Sequence, residues 1–518
     1  MCLILLAIQG LACQAVFPDE LPALPQATQT QPLPALPRHS ETAAAGDAPV
    51  SQEAALLPAT RSDLSALSGI PRYAIQMEID FTAGAFSGRS LVEVTNQESA
   101  PLESLYFRLL PNAQKSYGNG WLEVTRIALD GQVVAPELSV SDTVLGVSLP
   151  TPLPAGGSVR VEFDFQGQVA LDFGGEAEPA GYGIYNLSEK VLALSGWYPI
   201  LAVYDADGWN LDPVSAIGDS VYSDTALYSV DVTAPQNLVI ATTGVQAGSV
   251  DQGAETLHYY LSGPARDFFL VMSPDYALID RQVDGTRVSS YYLPGHEQAA
   301  QKALDVAADS LEAFNRRFGA YPYIELDVVE APMHNALGVE YPGVFLIAAD
   351  LYAEPEEASF TVAVAHETAH QWWYGLVGND VFADPWLDEG LATYTSSLYF
   401  EATGGKQAYR GFTGYLEERY QDLRADGQDD LVTQSLDYFE RLDRPSVYGG
   451  VVYTKAALFF AALRDEIGDA AFFAALQDYY QDYKYRVARP EDLMAYFESA
   501  AGHPLDAFYE EWLYQAPK

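Results

Sequence analysis

Two segments decide the fold of this sequence, His366-Glu-Thr-Ala-His370-Gln-Trp-Trp and Trp386-Leu-Asp-Glu389-Gly. The apolar pattern predicts a helix over 359–377 that carries the first segment. Residues four apart lie on one face of a helix, with Cβ atoms about 5–6 Å apart. The imidazoles of His366 and His370 can therefore bind one zinc ion together. The H-E-x-x-H pattern thus indicates a zinc site on this helix.

Glu389 is the candidate for a third ligand, because a catalytic zinc usually has three protein ligands and keeps its fourth position for water. Eighteen residues separate it from His370, and a hairpin of two helices can bring it back across the first helix. Glu367 is adjacent to His366 but projects at a different angle. It can act as the general base, because zinc lowers the pKa of a bound water to about 7. The alternative, a helix with two ordinary histidines, is disfavoured by the carboxylate on the following helix.

Length and composition exclude several classes of protein. The chain has 518 residues, which is too long for one ordinary domain, and 49% of them are hydrophobic, which excludes a disordered or collagen-like protein. The 27 Lys and Arg against 71 Asp and Glu give a net charge of −44. Such a chain repels phosphate backbones, so no nucleic-acid partner is expected. The two cysteines, Cys2 and Cys13, exclude a disulfide framework and a cysteine-ligated metal.

The N-terminus has the features of an exported protein. Residues 1–17 contain an apolar run that is too short to span a membrane, and they are predicted to form a signal peptide, although no basic segment precedes the run. Cys13 closes a loose match to a bacterial lipobox, so it is expected to carry a lipid, with plain secretion and a buried apolar segment as alternatives. Residues 18–66 are rich in proline and are expected to form a disordered linker. The expected location is outside the cell, either secreted or lipid-anchored on the outer side of the cell membrane.

Two folded regions are predicted after the linker. Apolar and polar residues alternate between 67 and 284, as at Tyr73, Ile75 and Met77, and predict an all-β domain of antiparallel strands with a saddle-like or sandwich-like shape. Residues 285–518 are predicted to form a mostly α domain with one short strand at 324–329. The fold class is therefore multidomain, α and β. The predicted helices cover 296–318, 359–377, 385–402, 406–424, 447–466, 469–483, 490–501 and 504–514.

The two quoted segments resemble the gluzincin zinc aminopeptidases of peptidase family M1, the aminopeptidase N type. The family's segments read His-Glu-x-x-His-Gln-Trp and Trp-Leu-Asn-Glu-Gly, and Asp388 replaces the asparagine here. The resemblance covers most of 72–516. It implies a β-rich domain followed by a thermolysin-like zinc metallopeptidase domain, in a short two-domain bacterial form. It also implies a single zinc ion bound by the two motif histidines and Glu389, with Glu367 as the general base.

The same resemblance implies further site residues. Gly338-Val-Glu340-Tyr-Pro stands 26 residues before His366, counted from the glutamate, where the family has Gly-x-Met-Glu-Asn. Glu340 would bind the free α-ammonium of the substrate, and Gly338 belongs to the same substrate-binding motif. Tyr453-Thr-Lys-Ala-Ala lies 64 residues past Glu389, where the family has Tyr-x-Lys-Gly-Ala. Tyr453 would donate a hydrogen bond to the oxyanion of the transition state.

Three more residues remain open at the level of sequence. Tyr448 is a candidate supporting hydroxyl. His334 could line the substrate cleft or belong to a surface loop. Asp388 could hydrogen-bond a ligand histidine or cap its helix.

The expected function is hydrolysis of the N-terminal peptide bond of peptides by a zinc-dependent aminopeptidase. The changed residues around Glu340 leave a zinc endopeptidase, or a zinc hydrolase of another substrate, as the alternative. An inactive binding relative is a third possibility, disfavoured because every ligand and the base are present. The expected partners are peptides, with a preference for basic or neutral ones at low salt, since the surface is acidic. The oligomeric state is not predicted.

Overall fold

The structure is a computed structural model that describes residues 51–171, 181–333 and 335–515. The predicted signal peptide 1–17, with Cys13, lies outside the described residues, as do His334 and the predicted linker up to residue 50.

The strands between residues 72 and 273, here called the β region, form one large sheet and three smaller ones. Alternation in sequence becomes alternation in burial, as in Arg72–Asp80, where Tyr73, Ile75, Met77 and Ile79 face the core. The eight strands of the large sheet are ordered Val245–Asp251, Glu255–Leu261, Leu227–Pro235, Arg72–Asp80, Ala85–Thr95, Ser158–Gln168, Trp121–Leu129 and Gln132–Val134.

One pair in this sheet departs from the antiparallel arrangement predicted from the sequence. Arg72–Asp80 and Leu227–Pro235 are neighbours and run parallel. A parallel pair needs a long crossover connection, and here the intervening chain forms most of the other strands of the β region. Alternation reports which face of a strand is buried, but it does not report strand direction.

The smaller sheets complete the β region around buried aromatic side chains such as Trp197 and Tyr198. Short helical turns interrupt it at Leu110–Asn112 and Gln114–Tyr117. One sheet is ordered Val239–Thr242, Leu270–Ser273, Val191–Leu194, Tyr185–Ser188, Ala170–Leu171; another Ile200–Leu201, Leu102–Arg108, Val144–Leu153, Glu137–Ser139; and a two-stranded one joins Tyr204–Asp205 to Gly208–Trp209.

Residues 277–515, here called the helical region, open with a mixed five-stranded sheet. The sequence predicted one strand there, at 324–329, because the run Val344–Ala348 is continuously apolar and does not distinguish a buried strand from a helix. The predicted boundary between 284 and 285 falls in the turn between the first two strands, which pair with each other. In spatial order the strands are Ala277–Val283, Thr286–Tyr292, Glu325–Ala331, Val344–Ala348 and Gly338–Tyr341.

Helices form the rest of this region, close to their predicted positions. One prediction is wrong: the helix expected over 359–377 ends at Ala369. The helices expected over 385–402 and 406–424 form one long element, broken by the non-helical backbone of Gly405. The α-helices are Glu297–Phe318, Ala349–Tyr352, Ala358–Ala369, Trp386–Ala425, Leu436–Leu442, Pro445–Tyr448, Ala456–Ile467, Asp469–Tyr483, Pro490–Ala501 and Asp506–Tyr509, with π-helical segments at Gly449–Lys455 and Glu510–Tyr514 and a strand pair at Val377–Gly378 and Arg486–Val487.

The end of the segment expected to be a disordered linker is ordered. Short helical turns cover Gln52–Ala55 and Asp63–Ala66. Leu56 is fully buried, and the amide of Leu57 donates to the carbonyl of Pro322 at 2.8 Å. Apolar side chains in this part of the segment, such as Leu56, pack into the folded core. The proline content of the segment alone does not predict this packing.

The apolar stretch Pro445–Ile467 is long enough to span a membrane, but 67% of its most apolar window is buried inside the fold. It therefore packs as a core element.

Candidate active site

The helix Ala358–Ala369, here called the histidine helix, positions the two candidate histidine ligands. His366 lies in its last turn and His370 is its C-cap. The amide of His370 still donates to the carbonyl of His366 at 3.1 Å, so the helical spacing between them is kept. Their Nε2 atoms are 3.0 Å apart. The early end of the helix therefore leaves the predicted pair of ligands intact.

Glu389 completes the set from the first turn of Trp386–Ala425, here called the long helix. Its Oε2 lies 3.1 Å from Nε2 of His366 and 3.3 Å from Nε2 of His370. Burial would raise the pKa of this carboxyl, but hydrogen bonds from both imidazoles outweigh it and hold the pKa at about 2. Two imidazole nitrogens and one ionised carboxylate oxygen, converging on one point, fit the ligand set of a catalytic zinc.

A backbone carbonyl fixes the orientation of His370. Its Nδ1 lies 3.0 Å from the carbonyl oxygen of Trp373. With Nδ1–H donated to this carbonyl, Nε2 is the nitrogen that faces Glu389 and would bind a metal once it has lost its proton, as in other metal-binding histidines. His366 is fixed less firmly, since its Nδ1 lies 3.5 Å from the hydroxyl of Thr393.

Glu367, the predicted general base, is 5% exposed, and its Oε2 has no hydrogen-bond partner within the described chain. Burial raises its pKa to about 8. Gly338 lies directly against it: a Cβ atom at this glycine would come within 2.4 Å of Oε1 of Glu367. The glycine therefore leaves the space that the carboxylate occupies.

Glu340, the predicted amine anchor, is 6% exposed on the edge strand Gly338–Tyr341. Burial raises its pKa to about 8, with His370 opposing this rise and the charges of Glu367 and Glu389 adding to it. Oxygen atoms of Glu340 and Glu367 and a nitrogen of His370 lie within 4.8 Å of one another. Glu340 is therefore a buried carboxyl group beside a candidate zinc ligand, close enough to act on a group bound there.

Tyr453 reaches the site from the π-helical segment Gly449–Lys455. Its hydroxyl donates to Oε1 of Glu389, and its ring stacks on His366 with centroids 5.9 Å apart. The ring of Tyr448 meets that of Tyr453 edge-on at 5.6 Å. The hydroxyl of Tyr448 is buried with no hydrogen-bond partner in the part of the chain that the structure describes.

Asp388 lies in the first turn of the long helix, where its Oδ1 accepts from the amide of Glu389 at 2.8 Å and its Oδ2 has no hydrogen-bond partner in the described chain. Sequence reasoning missed Asp219, which the β region contributes. The Asp219 side chain hydrogen-bonds that of Glu340, and burial together with the charges of Glu340 and Glu389 raises its pKa well above the usual range. Asp219 lies in an irregular loop far from the motif in sequence, so no pattern marks it.

Comparisons with known proteins agree with this geometry. The peptidase family M1 domain matches residues 302–512. Aminopeptidase M1-B of Oryza sativa subsp. japonica is 26% identical over 463 residues, which are 86% of this chain and 49% of the rice protein. Aminopeptidase M1 of Arabidopsis thaliana is 25% identical over 407 residues, 74% of this chain and 46% of that protein. The chain thus spans about half the length of these curated relatives.

Solved structures share the fold of nearly the whole chain. The crystal structure of an M1 zinc metallopeptidase from Deinococcus radiodurans has a TM-score of 0.62 at 21% identity and covers 87% of this chain and 96% of its own. A mutant form of the Deinococcus enzyme, solved with a Tyr-Ser-Ala substrate, has a TM-score of 0.61 at 21% identity with the same coverage.

The fold is therefore that of the two-domain zinc metallopeptidases, a β-rich part followed by a helical one, which confirms the predicted fold class. The match to the peptidase family M1 domain over residues 302–512 and the similarity to M1 aminopeptidases agree with the resemblance of the two motif segments.

Proposed function

We propose that the protein is a zinc-dependent aminopeptidase that removes the first residue of peptides. One observation carries this function: the buried carboxylate of Glu340 lies within a few ångströms of a complete zinc ligand set, with Glu367 beside both. A ligand set alone fits any zinc hydrolase. A carboxylate at a fixed distance from it binds a cationic chain end and so limits cleavage to the first peptide bond. The relatives, each matched along about half of its length, are named aminopeptidases, which supports the proposal.

The residues of the chain divide the chemistry among them. Zinc, when bound by His366, His370 and Glu389, polarises the peptide carbonyl and lowers the pKa of the attacking water. Glu340 pairs with the α-ammonium and places the first peptide bond at the site. Glu367 accepts a proton from the attacking water and passes it to the leaving nitrogen. Tyr453 donates its hydroxyl hydrogen bond to the oxyanion as the tetrahedral centre forms.

The number of metal ions follows from the residue roles. A second group of possible ligands, Glu340, Glu367 and His370, shares its histidine with the first group. Its two carboxylates are the amine anchor and the base, and a second ion would block both functions. We therefore propose a single zinc ion.

Hydrolysis of a leucine-terminated pentapeptide, with a free amine or with an N-acetyl group, tests the function. We expect release of free leucine from the unblocked peptide only, and loss of that release after chelation. Internal cleavage of both peptides would contradict the proposal and indicate a zinc endopeptidase. A protein that binds stoichiometric zinc and cleaves neither peptide, across a panel of first residues, would also contradict it.

The N-terminal sequence supports a further proposal, export with a lipid on Cys13. Expression of the full chain in a bacterial host with labelled palmitate tests it. Label is expected in the wild type and absent from Cys13→Ser, which should appear in the soluble fraction. Equal distribution of both forms between membrane and medium would contradict the lipid anchor.

A further inference from the structure

We propose that Asp219 makes the enzyme selective for peptides whose first residue carries a cationic side chain, arginine or lysine. This inference deepens the proposed function and rests on it. Asp219 would pair with the side chain of the first residue while Glu340 pairs with its α-ammonium.

The loop that carries Asp219 is fixed in the site from both sides. At one end, the carboxylate of Glu440 accepts hydrogen bonds from the hydroxyl of Ser215 and the amide of Ala216, both at 3.0 Å. At the other end, the hydroxyl of Ser220 lies 2.7 Å from that of Tyr117. Asp219 is therefore held by the helical region and by the β region together, and its place beside Glu340 belongs to the fold.

Gly218 brings the loop into close contact with the site. Its φ of +68° favours glycine, and a Cβ atom there would lie 2.6 Å from the hydroxyl of Tyr448. That hydroxyl is buried without a hydrogen-bond partner in the described chain. This unpartnered hydroxyl, which lies against the residue next to Asp219, is an independent sign that a polar group of a ligand completes the site.

The charges around Asp219 determine which ligand fits. Its side chain is partly exposed and hydrogen-bonds the carboxyl of Glu340. The carboxyls of Glu389, Glu367 and Asp388 also act on it, and His370 acts in the opposite sense. The α-ammonium of a peptide supplies one positive charge, which Glu340 takes. With a neutral first residue, Asp219 finds no counter-charge in the substrate. A guanidinium or an ε-ammonium supplies that charge and several N–H donors for Asp219 and Tyr448.

Peptides that differ only in the first residue test this inference. The zinc-loaded enzyme would be assayed on Arg-Ala-Ala and Leu-Ala-Ala in 0.3 M NaCl, which screens the acidic surface at long range. We expect kcat/KM to be at least tenfold higher for the arginine peptide. In Asp219→Asn the ratio should fall at least tenfold, mainly through a higher KM for the arginine peptide.

Controls separate charge from structure. Asp219→Ser should lower the ratio as Asp219→Asn does, with zinc content and melting temperature close to those of the wild type. Asp212→Asn, which changes an exposed carboxylate a few residues before Asp219 in the same loop, should keep the wild-type ratio of kcat/KM values.

Two outcomes would overturn the proposal and leave the aminopeptidase function intact. One is a wild type that releases leucine but has no arginine preference. The other is an equal loss on both peptides in Asp219→Asn, which would make Asp219 a second contact of the α-ammonium or a structural residue. A wild type that releases neither residue would contradict both proposals.

Discussion

At the scale of single residues, Gly338 is the residue whose missing side chain shapes the site. Gly338→Ala would place a Cβ atom only 2.4 Å from Oε1 of Glu367, which is too close for both to keep their positions. The carboxylate must then move, and a shift of about 1 Å costs roughly 100-fold in rate. We expect kcat to fall by about that factor with unchanged zinc content. Steady-state kinetics and metal analysis measure the two quantities.

Gly411→Ala is the matched control, because a Cβ atom at this exposed helical glycine contacts nothing within 4 Å. Activity close to wild type in Gly338→Ala would show that the backbone yields and that Glu367 is not confined by this glycine.

Tyr453 is predicted to act on the transition state. Tyr453→Phe removes the hydroxyl that contacts Glu389 but keeps the ring stacked on His366. We expect kcat to fall by about 10²–10³ with KM within a few-fold, the cost of losing one oxyanion donor. Tyr415→Phe, at a half-exposed tyrosine, serves as the control. A raised KM at unchanged kcat would instead assign Tyr453 to substrate binding.

At the scale of elements, the turn after the histidine helix fixes the orientation of one candidate zinc ligand, His370. Tyr374 has a φ of 114°, an unusual value for a residue with a side chain, and its carbonyl accepts from Nε of Arg266 at 2.6 Å. The preceding carbonyl, of Trp373, is the one that orients His370. Arg266 is fully buried and also donates to the carbonyl of Ser223. A β-region arginine thus holds the turn that fixes a ligand.

Arg266→Met should therefore weaken zinc binding. We expect the dissociation constant to rise roughly tenfold or more, as when an outer partner of a ligand is removed. Competition with a chromophoric chelator measures it, with Arg160→Met, at an exposed arginine, as the control. A lower melting temperature with unchanged zinc affinity would make Arg266 a purely structural residue.

Secondary structure could be predicted from the sequence where the apolar residues repeat with a single helical or β period. Glu297–Phe318 and Asp469–Tyr483 lie within a residue of their predicted bounds, because their apolar faces repeat at helical spacing. The hairpin of Gly338–Tyr341 and Val344–Ala348 was not predictable, since one strand is short and the other is uniformly apolar. The end of the histidine helix at Ala369 was missed because the apolar residues continue through the turn, which buried hydrogen bonds hold in place.

At the scale of the whole molecule, buried carboxyl groups link stability to pH. Asp327 is 3% exposed in the mixed five-stranded sheet of the helical region, and burial, with a smaller effect of Glu325, raises its pKa to about 8. Below pH about 3 this group is protonated in both the folded and the unfolded chain. As pH rises toward 8, the unfolded chain releases the proton first, so the free energy of unfolding decreases. Above pH 8 the group is ionised in both states, so its stabilising contribution to the free energy of unfolding is fully lost.

Asp327→Asn should remove this contribution. We expect the variant to gain about 2 kcal/mol or more over the wild type between pH 5 and pH 9, from a shift of several pKa units at about 1.4 kcal/mol each. Urea unfolding at both pH values measures it, and the difference between the two proteins cancels the pH dependence of zinc binding. Asp280→Asn, at an exposed position of the same sheet, should show no such gain. A constant difference across pH would show that Asp327 is ionised in the fold.

Spacing in the sequence predicted His366, His370, Glu389 and Glu367 as a group, and the family resemblance added Tyr453; the structure places these residues near one another. Their helices have strong signals, and the helical repeat fixes the spacing within each one. Asp219 could not be predicted in the same way. Its place beside Glu340 depends on how a loop of the β region meets the helical region, and nothing local in the sequence encodes that contact.

The loop that carries Asp219 also bears on how proteins of this fold could diverge in substrate preference. The candidate zinc ligands belong to the helical region, whereas Asp219 belongs to the β region. Under the role proposed for Asp219, exchanging the β-rich parts of two homologues would change substrate preference and leave the zinc ligands unchanged. Related proteins could thus acquire new substrate preferences through changes in loops of the β-rich part, while the metal-binding helices stay constant.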